Sequence, residues 1–216
     1  MIECAAANTE KITTDSSWTP PSTNATVCFW WYKTATPTGV DYLWHHDQGN
    51  YMKLNGGDAI EVALIRASNK DIYYNHPFAN DVLYHVAYTS YPSGSKQAMD
   101  LWVDGIYITS TTTNRGTPTN AATIFGADHG TIYADIGVGD FRWYDRVLTD
   151  VELVTIVACR GTDGIVPLHR WMFNEGAEGV GASGAGVIKD WVGDLDATPT
   201  NTPTYAGSEL KWRRSA

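Results

Sequence analysis

Hydrophobic and polar residues alternate with a period of two along most of the chain. Short runs rich in Val, Ile, Trp and Tyr recur at close intervals, each bounded by Gly, Pro, Asn or Asp. These runs are ATVCFWWYK, DYLWHH, YMKLN, AIEVALIRA, DIYYN, LYHVAYTS, MDLWVDGIYITS and ADIGVGDFRWYD. Because successive side chains of a strand point to opposite faces of its sheet, the pattern predicts strands rather than helices.

Residues 83–108 predict a β-hairpin through their turn chemistry. The residues on one face of the two strands are Tyr84, Val86 and Tyr88, then Met99, Leu101 and Val103. Asp104 and Gly105 supply the two positive-φ positions of a two-residue turn, and Ile106 begins the return strand. We expect position 105 to resist any residue with a Cβ. The stretch SYPSGSK, which includes Tyr91, is predicted to be a longer polar turn.

One segment near residue 150 has helical periodicity. Thr149 is placed as the N-cap, Glu152 as its reciprocal capping partner, and Leu148 can pack against Leu153 across the cap. The apolar stripe of this helix consists of Leu153, Ile156 and Val157. Gly161 follows as a stop. The pattern predicts a short helix that covers the edge of the sandwich.

The C-terminal segment 165–216 predicts only about three strands, which are too few to bury a core alone. No internal repeat or block of charge separates it from the preceding residues. We therefore expect one domain, residues 1–216, in which the segment returns strands to the same sandwich. The predicted fold class is all-β, a two-sheet antiparallel sandwich with one short helix.

Three motifs, in order along the chain, carry a resemblance to a known family. His-Val-Ala at 85–87 precedes Leu-Trp-Val-Asp-Gly at 101–105, DFRWYDRVL follows at 140–148, and WMFNEG at 171–176 precedes Asp190. This order resembles the laminin-G-like or concanavalin-A-like jelly roll, the fold shared by pentraxins and many lectin modules. The Trp-His-His triplet at 44–46 lies in an earlier strand than the family's own triplet. The resemblance implies a jelly roll, an architecture that hosts lectins, adhesion modules, enzymes and viral structural proteins.

Charge and cysteine content exclude several settings. The net charge of −9 argues against nucleic acid as a partner, because phosphate attraction needs a basic face. No apolar stretch reaches the length of a membrane span, and residues 1–15 lack the pattern of a secretory signal. Three cysteines, an odd number without metal-ligand spacing, favour free thiols in a reducing compartment.

No recognisable catalytic arrangement is present in the sequence. Glucanases of the resembled fold carry Glu-x-Asp-x-x-Glu on one strand, and no such run occurs here. Glu175 and Glu178 are expected to point to opposite sides, as are His45 and His46. The prediction is therefore a protein that is not an enzyme.

A calcium ion is the main cofactor that the sequence brings into consideration, beside a metal site at the loop end formed by His45 or His46 with Asp47. Related lectin folds often hold Ca²⁺ with loop carboxylates and amides. The candidate ligands in KDWVGDLDAT are Asp190, Asp194 and Asp196, and a second oxygen-rich cluster is Asp41, Asp47 and Asn50. Turn chemistry also accounts for Asp and Asn in such loops.

Aromatic residues in turns are the candidate ligand contacts. The chain has nine Trp and twelve Tyr, and sugar rings stack on aromatic faces. The ligand-binding candidates are Trp44, Asp47, Asn50 and Tyr51 around the HHDQGNY turn, Tyr91 in the SYPSG turn, and Trp191. The polar tract TSTTTNRGTPTNAAT suits exposed loops, or arms that pair with the sheet edge of a neighbour.

The leading hypothesis is a non-catalytic binding or display module of a bacteriophage virion, as a capsid decoration or tail-associated protein. It would be made in the cytoplasm without a signal peptide and would contact capsid or tail proteins, or further copies of itself. The alternative is a calcium-assisted lectin, with an extracellular location and a glycan as its partner. A glycoside-active enzyme is the third hypothesis.

Overall fold

The structure consists of two antiparallel β-sheets with one α-helix. The computed structural model describes residues 1–37, 39–56, 59–65, 71–128, 130, 132–159 and 163–206. The strands are β1 (Ile2–Cys4), β2 (Lys11–Thr14), β3 (Ala25–Lys33), β4 (Asp41–Asp47), β5 (Asn50–Asn55), β6 (Ala59–Ala63), β7 (Ile72–Asn75), β8 (Tyr84–Ser93), β9 (Lys96–Val103), β10 (Ile106–Asn114), β11 (Ile124–Phe125), β12 (Ile136–Tyr144), β13 (His169–Trp171), β14 (Ala197–Thr200) and β15 (Thr204–Tyr205). The helix α1 spans Asp150–Cys159, and a 3-10 turn spans Ala6–Asn8.

The two sheets differ in strand order. Sheet A has the order β10-β9-β8-β3-β12-β1-β15, with β13 also paired to β12. Sheet B has the order β14-β2-β11-β4-β5-β6-β7. Alternate residues of each sheet enter one shared core, such as Val27, Phe29 and Trp31 of β3 and Met52 and Leu54 of β5. The predicted all-β, two-sheet antiparallel jelly roll with one short helix is confirmed.

Strands from the C-terminal segment lie in both sheets. β13 pairs with β12 and β15 with β1 in sheet A, whereas β14 pairs with β2 in sheet B. Residues 207–216, which the sequence analysis assigned to the same domain, lie outside the described residues.

The hairpin predicted at Asp104-Gly105 is present. Val103 pairs with Ile106, and both turn residues have positive φ, 52° for Asp104 and 78° for Gly105. A Cβ at position 105 would make only ordinary contacts, 3.6 Å or more from Val157 and Val154. Backbone conformation, rather than space, therefore makes glycine favourable here.

Replacing Gly105 with alanine is expected to lower the free energy of unfolding by about 1–2 kcal/mol, the cost of left-handed backbone for a residue with a Cβ. The matched control is Gly39→Ala, where an added Cβ meets no atom within 4 Å and φ is not in the left-handed region. Urea unfolding measures both changes. Equal stability of the two variants would contradict the account of this turn.

The helix begins with the predicted capping box. The Thr149 backbone N–H donates to Glu152 Oε2 at 2.9 Å, and the Glu152 N–H donates to Thr149 Oγ1 at 3.3 Å. Leu148 and Leu153, the residues predicted to pack across the cap, both belong to the buried cluster that contains Cys28. The helix lies on the outer face of sheet A rather than on the edge of the sandwich, because Leu153 and its neighbours pack onto residues of central strands. The predicted stop, Gly161, lies outside the described residues.

None of the helices in the described part of the chain is long and apolar enough to cross a membrane.

Candidate functional site

Tyr51 lies at the centre of a polar cluster on the outer face of sheet B. Its neighbours in sequence, Met52 and the alternate residue Leu54, enter the core, so Tyr51 and Lys53 face away from it. The Tyr51 hydroxyl lies 2.8 Å from Glu61 Oε1 and 2.9 Å from Asp71 Oδ2. The phenol thus stands between two carboxyl groups, one from β6 and one just before β7, and its single O–H can donate to one of them at a time.

A lysine and a second tyrosine complete this group. Lys53 Nζ lies 2.8 Å from Glu61 Oε1, 5.1 Å from the centre of the Tyr51 ring and 5.9 Å from that of Tyr42. The Tyr42 and Tyr51 rings meet edge to face at 5.8 Å. We call Tyr42, Tyr51, Lys53, Glu61 and Asp71 the tyrosine–carboxylate cluster. Asn55 donates to Glu61 at 3.0 Å and borders it.

The charge state of the cluster follows from its hydrogen bonds. Burial acts to raise the pKa of the Glu61 carboxyl, but its hydrogen bonds outweigh burial and lower the pKa to about 2. The partners in these bonds are Asp71, Lys53, Tyr51 and Asn55. Glu61 is therefore ionised at neutral pH, and its side chain, 18% exposed, remains within reach of solvent.

Strand pairing creates this cluster, and the sequence analysis missed four of its five members. Tyr42 pairs with Lys53, and Lys53 pairs with Glu61, so β4, β5 and β6 contribute to one row. Asp71 precedes β7, whose Tyr73 pairs with Glu61 and is 59% exposed. The available signal was period-two alternation in YMKLN and AIEVA, in which Lys53 and Glu61 stand between core residues.

Trp44 was predicted as a ligand contact, and the structure contradicts this. Its side chain is fully buried and meets the rings of Phe141 at 5.4 Å and Trp143 at 5.3 Å edge to face. It also stacks with Tyr88 at 6.2 Å. A bulge in β4 between Tyr42 and Trp44 turns Trp44 into the core, where no ligand can stack on it.

Asp47 and Asn50 hold loops together. Asp47 Oδ1 accepts from Gly49 N and Asn50 Nδ2, both at 2.8 Å, and Oδ2 accepts from the Thr119 backbone at 2.8 Å. Asn50 is buried, and its Oδ1 accepts from Ile65 N at 3.0 Å. These hydrogen bonds give both side chains a structural role. Asp41, Asp47 and Asn50 do not form an ion site together.

Tyr91 lies far from Tyr51 in the fold. The turn of its hairpin is at Gly94 and Ser95, because β8 continues to Ser93 and Ser93 pairs with Lys96. Tyr91 is thus a strand residue, not a turn residue as predicted. It hydrogen-bonds with Asp100 on the outer face of sheet A, whereas Tyr51 lies on sheet B. The two tyrosines do not form one site.

The residues predicted to bind calcium do not fit that ion. Asp190 is buried, and its Oδ1 accepts from the backbone N–H groups of Arg170 at 2.9 Å and Gly193 at 3.0 Å. Its Oδ2 lies 2.5 Å from His169 Nδ1. Asp196 accepts from Asp190 N and Lys189 Nζ, and Asp194 is exposed. Asp190 and Asp196 thus serve different contacts, and the described residues contain no group of three or more His, Cys, Asp or Glu that could hold a metal.

Trp191 is the most exposed tryptophan candidate. Its side chain is 58% exposed, its Nε1–H donates to Glu175 Oε1 at 3.2 Å, and its backbone N–H donates to Arg170 O at 2.8 Å. The adjacent Val192 is 43% exposed. The turn built around Asp190 therefore presents an aromatic face to solvent, separately from the tyrosine–carboxylate cluster.

The strand order of the two sheets defines an antiparallel jelly-roll sandwich. Residues 6–154 match the family model described as the concanavalin A-like lectin/glucanases superfamily, and the chain belongs to this family. No curated protein sequence matches the chain.

Solved structures show the same fold at low sequence identity. A candidate carbohydrate binding protein from Bacteroides ovatus aligns with a TM-score of 0.69 and 14% identity, over 92% of this chain and 58% of that one. A heptameric SAP-like pentraxin from Limulus polyphemus gives 0.55 and 16%, over 73% and 81%. A sialidase from Trypanosoma rangeli gives 0.52 and 17%, over 67% and 24%. The chain thus spans about a quarter of the sialidase, and these likenesses establish the fold alone.

Proposed function

We propose that the chain is a non-catalytic carbohydrate-binding module and that the tyrosine–carboxylate cluster is its sugar site. The observation that carries this proposal is the Tyr51 phenol held between Glu61 and Asp71, with Lys53 over the same ring. Sugar hydroxyls need both donors and acceptors, and sugar C–H faces pack on aromatic rings. The cluster supplies carboxylates, an ammonium and the half-buried ring of Tyr42 at the surface, whereas the Tyr51 ring is only 4% exposed and serves to position the carboxyl groups.

The rigidity of the cluster supports a binding role. Lys53 and Glu61 are 17% and 18% exposed, so each keeps access to solvent while a partner holds it in place. Because these side chains are already ordered, binding costs little further side-chain entropy. Membership of a lectin superfamily and the fold shared with the Bacteroides protein agree with this role.

The spacing of the carboxyl groups argues against glycoside hydrolysis. Glycosidases place two carboxyl groups about 5–9.5 Å apart, on either side of the scissile bond. The Tyr51 hydroxyl instead stands between the two groups, 2.8 Å from Glu61 Oε1 and 2.9 Å from Asp71 Oδ2. This arrangement leaves no room between them for a sugar linkage, so the proposed role is binding.

A glycan panel tests the binding function. We expect specific binding to one class of glycan, and we expect the same binding in calcium and in a chelator, because two of the three predicted calcium ligands, Asp190 and Asp196, already hydrogen-bond to the protein. Binding that a chelator abolishes would contradict the proposed site, and a blank panel would contradict the proposed function.

We further propose that the protein is part of a virion, where it decorates the capsid or tail and contacts capsid or tail proteins. The three cysteines are free thiols, as expected of a protein that folds in a reducing compartment before release in a particle. Mass spectrometry of purified particles from the producing culture tests this setting. We expect the chain in fixed proportion to the major shell protein, whereas recovery only as free extracellular protein would support the alternative location.

A further inference from the structure

The edge strands of the two sheets differ in how they are protected. At β15, Gly181 bridges to Thr204, and Tyr205 donates to Val180 O. At β14, Ala197 bridges to Ile188, and the strand contains Pro199. β7 has only four residues. Short strands, proline and covering segments are the usual devices that prevent an edge from pairing with another chain.

In the described part of the chain no segment covers the edge strand β10, and the one irregularity in its pairing is a bulge between Tyr107 and Thr109. The strand has nine residues, IYITSTTTN, with no charged residue and no proline. Every side chain from Ile106 to Thr112 is exposed or half-exposed. In an antiparallel ladder, alternate residues of an edge strand direct their N–H and C=O groups away from the neighbouring strand. β10 therefore offers a long, uncharged row of backbone donors and acceptors.

An exposed apolar surface continues this edge. Ile106 and Tyr107 are 66% and 52% exposed, and Tyr107 meets Trp102 edge to face at 5.6 Å. The hairpin turn before them lies beside helix α1, since a Cβ added at Gly105 would lie 3.7 Å from Val154, itself 51% exposed. An apolar rim beside an open edge is typical of an interaction surface.

We propose that β10 pairs antiparallel with β10 of a second copy of this chain, which joins the two A sheets into one. A two-fold axis places two identical strands side by side in antiparallel orientation. The free backbone N–H and C=O groups of each edge can then hydrogen-bond with those of the other. The chain carries a net charge of −9, which opposes contact between copies over most of the surface. The uncharged β10 places no like charges opposite each other, and this favours a second copy at this edge.

Sedimentation equilibrium of the full chain over a concentration series tests the proposal. We expect a mass that approaches twice that of one chain as concentration rises. Ser110→Lys adds a charge at an exposed position of β10 and is expected to weaken dimerisation at least about tenfold. Ser183→Lys adds the same charge at an exposed loop position and is expected to leave the dimer unchanged.

Amide hydrogen exchange provides a second measurement that needs no variant. We expect exchange at residues 106–112 to slow as concentration rises in the wild-type chain and in Ser183→Lys, but not in Ser110→Lys. Single-chain mass at all concentrations up to about 1 mM would overturn the proposal, since such affinity is too weak for a defined dimer. A dimer that Ser110→Lys leaves intact would overturn it as well. Neither measurement depends on sugar, so failure of the dimer proposal is distinguishable from failure of the proposed sugar-binding function.

Discussion

Replacing Arg142 with methionine is expected to lower the free energy of unfolding by about 3–5 kcal/mol, the cost of leaving a buried charge without its partner. The Arg142 side chain is 1% exposed, and its Nη1 lies 2.8 Å from Asp163 Oδ2, in a side chain that is 2% exposed. Its Nη2 lies 2.7 Å from Asp140 Oδ2. Removal of the guanidinium leaves the Asp163 carboxylate buried without this cation.

A surface pair provides the matched control. Arg146 makes two hydrogen bonds with Glu152, 3.0 and 2.6 Å long, but its side chain is 45% exposed. Arg146→Met removes the same side chain in favour of the same residue and is expected to cost at most about 1 kcal/mol. Urea unfolding compares the two variants. Equal losses would show that burial does not determine the contribution of the pair.

The double variant Arg142→Met/Asp163→Leu separates pairing from packing. Because it removes both charges together, it is expected to be less destabilised than the sum of its two single variants. Additive losses would contradict direct coupling between Arg142 and Asp163.

Replacing Asp190 with alanine is expected to lower the free energy of unfolding by about 3 kcal/mol, because four backbone N–H groups, one of them buried, lose a shared carboxylate acceptor. These groups belong to Arg170, Val192, Gly193 and Leu195, and His169 loses its 2.5 Å partner as well. Trp191 lies in the turn that they organise, so its fluorescence is expected to shift toward that of free tryptophan. Urea unfolding and tryptophan emission measure the two effects.

The effect of Asp190 also depends on pH. Burial alone would raise its pKa, but hydrogen bonds with His169 and backbone N–H groups outweigh burial and hold the pKa below its ordinary value. Its contribution is therefore fully present above the unfolded-state pKa of about 3.9 and is lost as the pH falls through the lower folded-state pKa. The control Asp194→Ala changes an exposed carboxylate and is expected to alter stability by less than about 0.5 kcal/mol. A comparable loss in Asp194→Ala would contradict the assigned role of Asp190.

The fold was predictable because its signals are local. Period-two alternation located the longer strands, the Asp104-Gly105 pair located a hairpin, and Thr149 with Glu152 located the helix start. Each signal depends on residues close together in sequence. Very short strands such as β11 and β15 carry too few residues to show a period, and their place is set by pairing with β4 and β1.

The candidate site was less predictable because it depends on strand register. Tyr51 was chosen for its place near a turn, but its partners Glu61 and Asp71 lie ten and twenty residues further along the chain. Composition cannot show which residues of neighbouring strands stand opposite each other. Trp44 was wrongly predicted to face a ligand, because one bulge in β4 decides whether its side chain faces solvent or the core.

The most direct test of the sugar site is a titration of the best glycan from the panel against Glu61→Gln, which keeps the side-chain shape and removes its charge. Loss of a charged hydrogen bond is expected to weaken binding about 10- to 100-fold, while thermal unfolding shows that the variant stays folded. Trp191→Ala is the comparison and is expected to bind as the wild-type chain does. Unchanged binding by Glu61→Gln, or loss only in Trp191→Ala, would contradict the account and move the site to the turn around Asp190.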